Sequence, residues 1–363
     1  MTTLDTMLQG LGNAIGANLN TLNTSAKTIV GAINEVYGRS GVSAVGLSQT
    51  DLTLYGGDVV TVEAKAATAG ALSVLSSDSS VATASISGNT VTITHVGAGE
   101  AAIIVELAAV GASPAGQAAI YVKCMAFKPV TWADGTDAEV AAFLQAHYDG
   151  LVDIHDYWAV GDTRRVSLSA MSATGVGESH SAQDVDLVLM NEGGKMLSDG
   201  VTECAFVVGQ KESLATGGYM NSSNTNTGGW KNSARRAWCN NVYKNAIPST
   251  LIGIYKEFIN QSGTGGGSSS GVENTTDTFA LPAEKEVFGS TSYSVAGEGN
   301  QFTWYATSAN RIKKMGVSGS ANYWWERSPY SGLSNPFCGV SDYGNASYYS
   351  ASDTIGLSPF GCI

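Results

Sequence analysis

The chain has 363 residues, a length that suits two or three domains, and is 43% hydrophobic but only 14% charged. That composition excludes a disordered chain, and a net charge of -12 excludes binding to a phosphate backbone, so no nucleic-acid partner is expected. No uninterrupted apolar run approaches the roughly 18 residues of a membrane-spanning helix, so no membrane insertion is expected either.

Residues 1–40 read as a helical head. Leu4, Leu8, Leu11, Ile15, Leu19, Leu22, Ala26, Ile29, Ile33 and Val36 recur at heptad-like steps with one longer step. Gly10, Gly12 and Gly16 each weaken such a helix by about 1 kcal/mol relative to Ala. The head therefore needs a surface, either a partner (copies of itself or an attachment site) or the rest of its own chain. "SAKTIVGAINEVYG" resembles segments near the N-termini of bacteriophage fibre and structural proteins. No basic segment precedes an apolar stretch at the start, so a secretory leader is not expected. An extracellular role would then come through release in an assembled particle.

Residues 44–123 change in style. "DVVTVEAKA", "VATASIS", "TVTITHV", "AAIIVELAAV" and "QAAIYVKC" are short alternating or β-branched runs, separated by turn signals such as "YGGD" and "SGN". They predict an all-β sandwich. The run "LSVLSSDSSVATASISGNTVTITHVGAGEAAIIV" is similar to the bacterial immunoglobulin-like family, whose modules serve as spacers or adhesive stalks.

Residues 124–363 form the largest predicted domain. "TDAEVAAFLQAHYDG" predicts a helix capped by Thr136, with Val140, Phe143, Leu144 and His147 on one face. "RRVSLSAM" and "DVDLVLMN" predict strands, and "NSARRAWCNNVYKNAIPSTLIGIYKEFIN" one or two helices broken near Pro248. Ser262–Gly271 predicts a surface loop. All seven Trp lie in this part, which suits a loop-rich α+β domain with an aromatic core.

Tests for chemistry return little. No GxSxG, Walker loop or HExxH occurs. The four His (His95, His147, His155 and His180) lack a metal-ligand pattern, and turn or hydrogen-bonding roles are expected for His155 and His180. The five Cys are widely spaced and read as buried thiols, with a Cys338–Cys362 pair left open. Glu284-Lys285-Glu286 reads as a solvated face or salt bridge, and Arg235 and Arg236 as structural ion pairs. "SAQDVD" and "SVAGEGNQ" are faint candidates for a Ca²⁺ site. No metal, no cofactor and no catalysed reaction is expected.

"WAVGDTRRVSLSAM", "GGWKNSARRAWCNNVYKNAIP", "FALPAEKEVFG", "YWWERSP" and "GLSPFGCI" occur in that order. Together they resemble the variable proteins of diversity-generating retroelements, common in phages of gut bacteria. The resemblance implies a C-type-lectin fold, similar in core to the formylglycine-generating enzymes. It also implies a terminal variable region, about 322–363 here, rewritten at template adenines. Codons derived from AAC or AAT in this way never encode Lys, Glu, Gln, Met or Trp. Tyr330–Ser358 contains none of the five. The family's frame is matched by Phe337, Cys338 and Pro359 through Ile363. The expected ligand-binding positions are Tyr330, Ser331, Leu333, Asn335, Gly339, Asp342, Tyr343, Asn345, Ser347, Tyr348, Tyr349, Ser350, Ser352, Asp353 and Thr354.

The expected architecture is therefore multidomain: an N-terminal helix (1–40), an immunoglobulin-like sandwich (44–123) and an α+β C-type-lectin-like domain (124–363). The function implied is host adhesion by a phage receptor-binding protein, in the virion and extracellular on release. Its partners would be a host cell-surface receptor, protein or glycan, and a virion structural protein bound through the head. Display as a homotrimer would supply avidity. Two other readings are a bacterial surface adhesin or lectin with the same fold, and more remotely an oxidase of the formylglycine-generating type.

Overall fold

The computed structural model describes residues 45–111, 115–176, 178–267 and 271–363. The predicted head at 1–40 lies outside the described residues. The protein is β-rich with few helices, and it divides into two units, Met1–Lys128 and Pro129–Ile363. No described helix is long and apolar enough to cross a membrane.

In the first unit, β1 (Val45–Leu47), β3 (Val59–Ala66), β6 (Thr90–His95) and β5 (Ala82–Ser87) form one sheet in the order β1-β3-β6-β5. β2 (Asp51–Tyr55), β8 (Gly116–Met125), β7 (Gly99–Leu107) and β4 (Leu72–Ser76) form the other, with β2 parallel to β8. Alternation dictates the faces. In β3, Val62 and Ala64 are buried while Thr61, Glu63 and Lys65 are exposed. Val62, Val91 and Ile93 of the first sheet share one cluster with Ile103, Val105, Ile120 and Val122 of the second. Each such Val or Ile contributes about 1.5–3 kcal/mol by leaving water. A two-residue loop, Gly88-Asn89, joins β5 to β6, and Gly88 sits at φ 59°, where a Cβ would be strained.

In the second unit, α1 (Asp137–Tyr148) starts with a capping box between Thr136 and Glu139 and buries Val140, Phe143, Leu144 and Ala146. A five-stranded sheet runs β14 (Phe279–Ala280), β20 (Phe360–Cys362), β11 (Phe206–Gln210), β10 (Gln183–Glu192), β9 (Thr163–Leu168). The last strand of the chain thus lies inside its sheet, hydrogen-bonded on both sides. Even the Ile363 carbonyl accepts from the Tyr148 hydroxyl and the Ala205 N–H. A separate three-stranded meander, β17 (Trp324–Pro329), β18 (Pro336–Val340) and β19 (Ala346–Ser350), carries most of the terminal segment. Six of the seven Trp are fully buried: Trp132, Trp158, Trp230, Trp238, Trp324 and Trp325.

Several local expectations change. The stretch after Ser233 is helical through Ala246, with a π turn at Cys239–Tyr243, breaks around Pro248 and resumes only as a 3-10 turn at Ile252–Ile254. Its end, "FIN", opens β12 (Phe258–Gly263), which pairs with β13 (Val272–Asp277). The predicted loop at Ser262–Gly271 is therefore shorter, because Ser262 and Gly263 belong to the hairpin. Glu284 and Glu286 are buried, so the solvated-face reading fails, and the salt-bridge alternative holds for Glu286, which pairs with Lys195 and Arg327. Both ring nitrogens of His180 lack a hydrogen-bond partner among the described residues. Burial, with Arg235 nearby, pushes that imidazole down to about 4. All five Cys are free and buried, so Cys338 and Cys362 are not bonded to each other. The "SAQDVD" carboxylates are engaged internally, Asp184 by Ser167 and Asp186 by Arg165. Glu298 of "SVAGEGNQ" is buried against Ser328 and the Gly263 N–H.

Candidate functional site

The meander places frame and candidate positions on different sides of a boundary. Phe337, Cys338 and Pro359 through Ile363 are all buried. Leu333, Tyr343, Asn345, Tyr348, Ser352, Asp353 and Thr354 are exposed. Tyr330, Ser331, Asn335, Asp342, Ser347, Tyr349 and Ser350 are half-buried.

Gly339 departs from the expected surface. It is buried at the centre of β18, paired with Trp325 on one side and Ser347 on the other. A Cβ there would meet the Trp324 carbonyl oxygen at 2.8 Å and the Tyr349 ring at 2.9 Å. Its role is to let the Tyr349 ring lie on the backbone.

Strand periodicity divides the tyrosines of β19. Tyr348 stacks on Tyr330 with ring centroids 4.6 Å apart, and Tyr293 meets both rings edge-on at 5.0 and 5.7 Å. Tyr349 instead packs against Trp325 and Tyr323. Burial pushes the Tyr349 phenol up, in keeping with a partly structural role. Tyr343 is 78% exposed at the tip of the Ser341–Asn345 turn. That turn is closed by the Ser341 N–H donating to the Asn345 carbonyl and by the Ser341 hydroxyl accepting the Tyr343 and Asn345 N–H groups. Asp353 is exposed yet also closes a turn, accepting the Ser350 N–H at 3.0 Å.

Buried polar groups hold the loops from below. The side-chain amide of Asn226, fully buried, donates to the carbonyls of Tyr330, Leu333 and Pro336 at 3.1, 2.8 and 2.7 Å. Its Oδ1 accepts the Gly266 N–H. The carboxylate of Glu284 accepts the N–H groups of Ser292, Tyr293 and Ser294 at 2.8–3.1 Å, fixing the loop that presents Tyr293. Ser331 donates from both N–H and hydroxyl to the Tyr293 carbonyl, joining that loop to the terminal segment.

Under the meander lies a buried ion network. Glu286 accepts from Arg327 and Lys195, and Arg327 also donates to the carbonyls of Leu281, Gln261 and Glu298. Burial opposes the charge on Glu286, but its two cations win and hold the carboxyl below its usual value. Glu326, next along β17, has no such partner among the described residues. Burial, reinforced by Glu284, Glu298 and Glu286, pushes its carboxyl well above the usual range. Arg235 and Arg236 pair with Glu178 and Asp277.

Three residues of this face escape sequence reading. Tyr293 and Tyr323 lie outside the expected set but carry the same aromatic and polar composition as their neighbours. Asn226, in "NSSNTNTGG", looks like any polar loop residue.

Residues 206–363 match a family model described as a domain of unknown function, DUF6273. The match runs from the first residue of β11 to the end of the chain and so includes the whole meander. No curated protein matches the chain.

Proposed function

We propose that this is a receptor-binding or host-adhesion protein of a phage particle, presenting a retroelement-diversified surface. In this reading residues 124–363 are a C-type-lectin-like variable domain, and residues 44–123 an immunoglobulin-like spacer. Residues 1–40 would attach to the virion or join three copies. No reaction is catalysed.

The observation that carries the reading is the partition of the terminal segment. Positions assigned to the frame are buried, and fourteen of the fifteen assigned to variation are exposed or half-buried. They converge on the edge strand β19 and the loops flanking it. Tyr supplies large contact area for the loss of two torsions, and Ser and Asn supply adaptable hydrogen bonds, the palette of antibody paratopes. Asn226, outside the variable segment, holds the 330–336 loop through backbone carbonyls, and those bonds survive a change of side chain there.

The test is genomic. A reverse transcriptase gene beside a near-copy of the 3′ coding end, differing at adenines within the codons for Tyr330–Thr354, is the expected finding. A genome without such a copy overturns diversification.

A further inference from the structure

The geometry points to a binding site for one divalent transition-metal ion of the zinc class, held by His147, Asp153 and His155. His147 lies in the last turn of α1, and Asp153 caps the 3-10 turn Ile154–Asp156 that contains His155. One ligand atom from each residue lies within 4.8 Å of the other two. Asp153 Oδ1 is 2.7 Å from His155 Nδ1 and 3.8 Å from His147 Nδ1. A tetrahedral ion with bonds of about 2.0–2.1 Å needs its ligand atoms about 3.3 Å apart. The two distances straddle that value, so small side-chain rotations reach it.

The surroundings orient the rings as a metal site requires. His155 Nε2 is 3.2 Å from the Ala205 carbonyl oxygen. An ion would displace the 2.7 Å hydrogen bond between His155 Nδ1 and Asp153, with the ring proton then carried on Nε2 toward that carbonyl. His147 Nδ1 accepts the Ile154 N–H across a long 3.4 Å, a weak bond that an ion would have to displace. Two imidazole nitrogens and one carboxylate oxygen thus converge within reach of a single ion.

The side chains are 21%, 61% and 31% exposed in chain order, so an ion has access and water can fill a fourth position. Two imidazoles and one carboxylate suit Zn²⁺ and its neighbours, whereas Ca²⁺ and Mg²⁺ take oxygen ligands. The ion would staple the end of α1 to the turn at Ile154–Asp156. Through Ala205, whose N–H donates to the Ile363 carbonyl, the staple reaches the chain's last residue. The site lies outside the 206–363 family match and does not depend on the adhesion reading.

The test uses the full chain, stripped of metal by a chelator and titrated calorimetrically with Zn²⁺ and, separately, Ca²⁺. One Zn²⁺ should bind per chain and Ca²⁺ should not. His147→Gln and Asp153→Asn should each weaken Zn²⁺ at least tenfold, the Asn retaining an acceptor for the cap. Cobalt(II) in the unaltered protein should give a four-coordinate visible spectrum without a sulfur charge-transfer band, which excludes the thiols even if a variant fails to fold. Absence of saturable Zn²⁺ binding, undiminished binding in both variants, or a thiolate band each overturns the site and leaves a bare hydrogen bond between His155 and Asp153.

Discussion

Tyr330 and Tyr348 lie ring on ring, 4.6 Å between centroids and 25° between planes, although one follows β17 and the other belongs to β19. This stack joins the 330–335 loop to the edge strand and leaves Tyr348 41% exposed. Tyr349, one residue on, faces the opposite way onto Trp325.

The two neighbours should therefore respond differently to truncation. Tyr348→Ala, and Tyr343→Ala at the turn tip, should each reduce adsorption to the host at least tenfold; Tyr343→Ala should move Tm by no more than about 1 °C, and Tyr348→Ala, which loses the stack on Tyr330, by about 2–4 °C. Aromatic anchors of this kind dominate interface energetics. Tyr349→Ala should cost about 1–3 kcal/mol of stability, through lost packing on Trp325 and Tyr323. Adsorption assays beside thermal melts decide this. Unchanged adsorption in both Tyr343→Ala and Tyr348→Ala would place the binding face elsewhere.

Asn226→Ala tests whether the loops are held from below. The Tyr330 and Leu333 carbonyls and the Gly266 N–H would lose this partner, at a cost of about 1–3 kcal/mol for each group left buried and unpaired, while the Pro336 carbonyl keeps the Tyr330 N–H. Amide hydrogen exchange should quicken in residues 330–336, most plainly at Tyr330, whose N–H bonds to the Pro336 carbonyl. Adsorption should fall although no exposed side chain has changed. Exchange indistinguishable from the unaltered protein would show that the loop holds itself.

Much of this organisation is legible in the sequence, and the failures have physical causes. Strands with strict alternation, such as β3 and β6, and the capped helix α1 announce themselves because one face must leave water. The frame residues Phe337, Cys338 and Phe360 are apolar and buried, as such residues usually are. The burial of Glu284 and Glu286 and the role of Asn226 are missed because a buried polar group is identified by its partners, which lie far along the chain. Glu286 meets Lys195 and Arg327, and Asn226 meets Tyr330 through Pro336. Gly339 misleads because its reason is a ring resting on its Cα, and no local pattern records that.

Gly339→Ala follows from the same contact. The new methyl would approach the Trp324 carbonyl oxygen to 2.8 Å, and backbone gives way less readily than a side chain. Overpacking of this kind costs about 1–3 kcal/mol. Tyr349 should move off β18, changing the near-ultraviolet circular dichroism of the Trp325–Tyr349 pair. A stability within about 0.5 kcal/mol of the unaltered protein would show that position 339 tolerates side chains and belongs with the variable set after all.

Glu326 gives a pH signature. Both of its oxygens are buried without a partner among the described residues, and burial raises its carboxyl well above the usual value. An unfolded glutamate releases its proton near its ordinary pKa, whereas the folded one retains it. The proton-bound form thus stabilises the fold fully below the unfolded value, and that contribution is lost as pH rises toward the folded value. Glu326→Gln carries no such proton. Its Tm should match the unaltered protein near pH 4 and exceed it progressively toward pH 7. Each tenfold difference in proton affinity is worth about 1.4 kcal/mol, or about 3–6 °C for a unit of this size. Melts of both proteins across that range provide the comparison, and the difference between them isolates this group from other titrations. A gap that stays constant with pH would mean that Glu326 is ionised in the fold, held by a cation or water chain that satisfies both oxygens.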